Sequence, residues 1–180
     1  MLIITIPATE EFDEAKGEFV YTREQTLQLE HSLLSISKWE SKWCKPFLGK
    51  QDKTREEVID YIKCMTLNKG IDENVYGCLT QKNFEAINAY IGAPMTATTF
   101  SEDKNGKKNR EIITAELIYY WMISLNIPFE CQKWHINRLL TLVRVCNIKN
   151  APPKKMSKRE IASRNARLNA ARRQQLNTKG

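Results

Sequence analysis

The chain has 180 residues, 28 Lys+Arg against 21 Asp+Glu, and 42% hydrophobic residues. A chain of this length can bury roughly 70% of the surface its unfolded form exposes, so one domain needs neither a disulfide nor a metal to complete a core. The longest apolar run, around Leu117–Ile123, falls short of the 18 or so residues that span a bilayer, and Met1–Pro7 has no basic region of the kind that opens a signal peptide.

The charge is polarised. Residues 151–180 carry nine basic side chains and one acid, while residues 1–150 carry 19 basic and 20 acidic ones. Within the first 30 residues Glu10, Glu11, Asp13, Glu14, Glu18, Glu24 and Glu30 face only Lys16 and Arg23. Such a chain could bind nucleic acid or an acidic protein through its basic end, or dock tail to head in a homo-oligomer. Charge alone does not choose among these.

In chain order, the β-branched run Leu2–Ile6 and the similar Phe19-Val20-Tyr21, with an easy turn at Lys16-Gly17, predict a β-hairpin over residues 2–21. From Arg23 the period changes: Leu29, Leu33, Ile36, Glu40 and Trp43 recur at helical spacing until Pro46. Thr54 and Glu57 form a capping-box pattern that predicts a second helix to about Leu67, with Gly70 behind it. Thr80 caps a third helix, carrying Phe84, Ile87 and Ile91, which Gly92-Ala93-Pro94 ends. Residues 101–110 read as a polar, solvated loop.

Residues 111–126 are apolar on nearly every face. That marks either a central core helix or a helix with a second face for a partner, on which Leu117, Tyr120 and Trp121 are the candidate contacts, and it is expected to be the most buried element. Pro128 suits the start of a fifth helix over 129–147. Ala151-Pro152-Pro153 then acts as a hinge. Beyond it Ser157 and Glu160 repeat the capping-box pattern and open a basic arm whose Lys154, Lys155, Lys158, Arg159, Arg164, Arg167, Arg172 and Arg173 are candidates for a charged partner. Its apolar stripe is too thin to hold a helix alone, so it is expected to fray when free and become helical when docked.

The predicted fold is mainly α: an N-terminal β-hairpin segment (1–22) packed on a body (23–150), a compact bundle of about five helices, followed by the hinge and basic C-terminal helical arm (151–180). Candidate chemistry is sparse. Cys44, Cys64, Cys78, Cys131 and Cys146 are scattered without a C-x-x-C pair, which predicts small buried hydrophobes in a reducing cytosol rather than a zinc site. His31 is expected at the edge of the core, and His135 to be satisfied by one hydrogen bond rather than to act as a ligand or general base. Asp72/Glu73 and Glu56/Glu57 read as acids opposing helix dipoles. Trp39, Trp43, Trp121 and Trp134 read as core before they read as base-stacking platforms. No phosphate-loop, dinucleotide, nucleophile-elbow or H-E-x-x-H motif occurs, so no enzyme and no cofactor are expected.

The segments EHSLLSISKWESKWCKP (Glu30–Pro46), IPFECQKWH (Ile127–His135) and NIKNAPPKK (Asn147–Lys155) make the chain similar to small proteins of tailed bacteriophages, above all the tail assembly chaperones of long-tailed phages. The likeness is one of overall sequence and brings no catalytic residues. It implies a non-enzymatic helper in the cytoplasm of the infected host, which coats the tape measure protein, recruits tail tube subunits and leaves the finished virion. The arm is unusually basic for such a role. It keeps open a minor structural or head-tail connector protein, and a nucleic-acid-binding accessory protein.

Overall fold

A computed structural model describes residues 1–13, 17–100, 111–152 and 157–177. The fold is mostly helical, with a β-hairpin at its N-terminus. By internal contacts the chain divides into residues 1–147 and 148–180.

Four strands, β1 (Leu2–Ile6), β2 (Thr9–Asp13), β3 (Glu18–Thr22) and β4 (Gln25–Leu29), make two antiparallel ladders, β1 with β4 and β2 with β3. They share one register, Ile6 opposite Gln25 continuing to Thr9 opposite Thr22, so they are two stretches of one long hairpin. Pro7, with no N–H to donate, sits in the gap between them. Gly17, at φ +69°, supplies the left-handed residue near the turn.

The expected hairpin over residues 2–21 is therefore corrected in its pairing. Leu2–Ile6 does not meet Phe19–Tyr21; its partner is Gln25–Leu29, and Phe19–Tyr21 pairs with Glu10–Phe12. Leu29 belongs to this strand, not to the first helix. In β1 and β4 the alternation is plain, with Ile4, Ile6, Leu27 and Leu29 buried and Ile3, Thr5, Thr26 and Gln28 exposed.

The first helix, α1 (Leu33–Trp43), opens on Ser32, whose hydroxyl accepts from the Ser35 N–H. It closes on Cys44 in the left-handed region, φ 51°, two residues before Pro46. Helix α2 (Arg55–Met65) starts at the expected capping box, Thr54 with Glu57, and ends sooner than expected. Residues after Met65 instead line the outer edge of β4. The Leu67 N–H donates to Gln28 O at 2.8 Å, and the Asn68 side chain accepts from Gln28 N–H at 3.0 Å and donates to Thr26 O at 2.6 Å. An amide side chain thus extends the short backbone pairing that Met65–Leu67 make with this edge of β4.

A 3-10 turn, Glu73–Tyr76, is capped by Asp72, and helix α3 (Gln81–Gly92) by Thr80 and Asn83. Helix α4 covers Ala115–Ser124. The expected helix over 129–147 is not continuous: a 3-10 turn, Phe129–Lys133, is followed by extended backbone and then α5 (Ile136–Asn150). The cause is a tertiary backbone contact, since His135 bridges to Ser32 and the Ile136 N–H donates to His31 O at 2.8 Å. In the second unit α6 (Lys158–Leu176) has the expected Ser157/Glu160 capping box and no buried residue. The expected loop at 101–110, Lys16 of the expected turn, and Pro153 of the hinge lie outside the described residues.

The core gathers the inward faces of the hairpin and of α1 to α5, with α1 packed against α2, α4 and the Phe129–Lys133 turn. Trp39, fully buried, donates its Nε1–H to Glu57 O at 2.9 Å, satisfying the one polar group a buried indole carries. Trp43 donates to Asp60 at 2.9 Å, and Lys42 pairs with the same carboxylate. The tryptophans of α1 are core and core margin, as their spacing suggests.

Candidate interaction surfaces

Helix α4 is positioned at its N-terminus by a buried acid. Glu40 of α1 accepts from the Phe47 N–H with Oε1 and from the Ala115 N–H with Oε2, each at 2.7 Å. One carboxylate so satisfies a free donor of α4's first turn and a loop amide together, and its charge favours the helix start. Thr114 adds the conventional cap, accepting from the Leu117 N–H. At the other end Asn126, φ 53°, turns the chain so that the Ile127 N–H reaches Met122 O at 2.8 Å.

This fixes which side of an all-apolar helix faces inward. Ala115, Ile118 and Met122 are fully buried. Glu116, Tyr120 and Ile123 lie on the opposite side, with Tyr120 64% and Ile123 61% exposed. The expectation that 111–126 is the most buried element is corrected: α4 is core on one side only, because the body covers one face of it. Of the candidate contacts, Tyr120 is exposed, whereas Leu117 is half-buried and Trp121 half-buried against the core. Ile123 and the exposed Phe129 belong to the surface and were missed. The i, i+3 spacing of Tyr120 and Ile123 was the available signal, but a helix apolar all round does not say which face is outward. Tyr119 links α4 to the next turn: its hydroxyl donates to Gln132 at 2.9 Å and its ring lies 6.4 Å from that of Phe129.

Helix α6 is the second surface. Lys158, Arg159, Arg164, Arg167, Arg172 and Arg173 are all exposed on it, as are Ile161 and Leu168. Lys154 and Lys155 lie outside the described residues.

The histidines are not at the margin. His31 is 2% exposed and His135 6%, with ring centroids 5.0 Å apart. His135 accepts the Asn137 N–H at Nδ1, 3.3 Å, which leaves the proton on Nε2 to donate to Tyr90 O at 3.0 Å. His31 Nδ1 meets the Tyr61 hydroxyl at 2.5 Å. Burial, reinforced by His135, holds His31 down to about pKa 3; burial also lowers His135, and it raises the Tyr61 phenol. Both imidazoles are thus neutral hydrogen-bonding members of the core. His135 uses both ring nitrogens, one more bond than expected, and His31 sits well inside the edge where it was expected. Tyr90, in turn, donates to Glu30 at 2.7 Å, and Glu30 pairs with the Met1 amine at 3.0 Å.

Among the described residues no group of three or more His, Cys, Asp or Glu is placed to hold a metal ion, and no helix is long and apolar enough to cross a membrane. Cys131 is buried as expected, but Cys44 is exposed because it forms the left-handed end of α1; Cys64, Cys78 and Cys146 are half-buried, and all five are free thiols. A groove of about 370 Å³ lies between Pro94–Phe100 and α5. Its Asn137 amide is engaged by Ile91 O and Ala93 O, its Thr141 hydroxyl by Asn137 O, and its Arg144 stacks on Phe100 at 4.1 Å. These three side chains serve the fold's own contacts.

No known family model matches the chain, and no curated protein or solved structure is significantly similar to it.

Proposed function

We propose that the protein is a non-enzymatic tail assembly chaperone of a long-tailed bacteriophage, built as a compact five-helix body with a basic C-terminal arm. It acts in the host cytoplasm, shields apolar helical segments of the tape measure protein, recruits tail tube subunits and leaves the finished particle. The resemblance implies this role, and one structural observation supports it: α4 exposes Tyr120 and Ile123 while its other side anchors it in the core. A rigidly held helix with an apolar outer side is what an amphipathic partner helix packs against.

The test is co-expression with a fragment of the tape measure protein. The native chain should keep the fragment soluble. Tyr120→Ser with Ile123→Ser should abolish that help while leaving the body folded. A fragment equally insoluble with and without the native chain sinks the proposal.

A further inference from the structure

We propose that α6 is the docking element for the β2–β3 end of the hairpin in a second copy of this chain. The inference does not depend on the chaperone reading, since copies could associate this way whatever else they bind.

The argument begins with what each element lacks. A 19-residue helix with six basic residues, one acid and no buried side chain gains little from packing within its own unit. Helices of that length are marginal in water when nothing covers them. The hairpin end has a similar deficit, because β2 and β3 form a sheet of only two strands, and two-stranded ribbons are marginal alone. Each would be stabilised by the other.

Their chemistry is complementary. Strands β2 and β3 carry Glu10, Glu11, Asp13 and Glu18 and no basic residue, a net of −4; α6 carries a net of +5. The register places Phe19 and Tyr21 on one face of the ribbon, 68% and 63% exposed, beside Glu10, the partner of Tyr21. Ile161 and Leu168 are one heptad apart on α6 and both exposed, so an apolar contact can form between the charges. Guanidinium groups also stack on tyrosine and phenylalanine faces. A nucleic-acid groove would use the basic residues of α6 and would have no use for the acidic hairpin end.

Since the two surfaces differ, each copy offers both a hairpin and an α6, so copies can join as reciprocal pairs, rings or rows.

The test uses the full chain after nuclease treatment, followed by sedimentation velocity over a range of concentrations. The native protein should associate progressively at low salt. Raising salt from about 0.1 M to 1 M, which shortens the Debye length from about 10 to 3 Å, should disperse it. Glu10→Lys, Glu11→Lys and Glu18→Lys together, or Arg167→Glu, Arg172→Glu and Arg173→Glu together, should each lower the association constant by about ten- to a hundredfold with the thermal unfolding of the body unchanged. Mixing the two variants should restore association that neither shows alone, because one keeps its α6 and the other its hairpin. The proposal is overturned by a native chain that stays monomeric at every concentration. It is equally overturned by association that nuclease abolishes, or that the hairpin reversals leave untouched. Loss of folding in the hairpin variant is controlled by its intact α6, which must still capture the α6-reversed chain.

Discussion

Acidification from pH 7 to pH 5 should destabilise the protein through its two buried histidines. Both are neutral in the folded state, and His31 is held down to about pKa 3, against about 6.5 for an unperturbed imidazole. The sign follows from proton uptake. A group whose folded value lies below its unfolded value leaves stability intact above about pH 6.5, and stability is lost as pH falls toward the folded value, since the unfolded chain takes up the proton first. For His31 alone, the difference in proton binding between pH 7 and pH 5 is worth about 2 kcal/mol, and His135 adds to it in the same direction. Carboxylates contribute little here, because Glu57 and Asp60 have lowered values and the unfolded chain protonates its acids mostly below about pH 5. The window therefore isolates the imidazoles. Urea unfolding at pH 7, 6 and 5 should show the loss, and His31→Gln, which can still accept from Tyr61 but does not titrate, should remove about 2 kcal/mol of the pH dependence. With only two histidines in the chain, their ring-proton NMR signals assign the titration directly. A His31 ring that titrates near pH 6.5 in the folded protein, or a His31→Gln variant with the native pH slope, would refute the reasoning.

Glu40→Gln should cost about 1–3 kcal/mol in urea unfolding, because an amide has one acceptor where the carboxylate serves two backbone donors, at Phe47 and Ala115. Met122→Ala should cost about 2–5 kcal/mol and Ile123→Ser no more than about 0.5, a contrast between adjacent residues that thermal or urea unfolding checks. Asn68→Ala should cost about 1–2 kcal/mol and speed hydrogen exchange at the Gln28 amide, whose acceptor is the Asn68 side chain; unchanged exchange there would show that the strand edge is held by something else.

What the sequence determined by itself is what depends on near neighbours. The starts of α2, α3 and α6 were legible because a capping serine or threonine acts on an amide three residues on, and the end of α3 because Gly92-Ala93-Pro94 is a local stop; the start of α1 at Ser32 was not, since helical spacing carried it back to Leu29. The hairpin's existence was legible from β-branched composition and Gly17. Its pairing was not: Leu29 fits helical spacing with Leu33 and Ile36 as well as it fits alternation with Leu27. Only the long register from Asp13–Glu18 back to Leu2–Leu29 settles which strand it joins. The break before α5 was hidden for the same reason, since residues 129–147 read as one helix until His135 meets Ser32 far along the chain. For the candidate surfaces the division is sharpest in α4. Composition shows that nearly every face is apolar, and a uniformly apolar helix carries no phase. Tertiary packing supplied the phase, when Glu40 fixed the start of the helix and the body closed over Ala115, Ile118 and Met122, leaving Tyr120 and Ile123 outside.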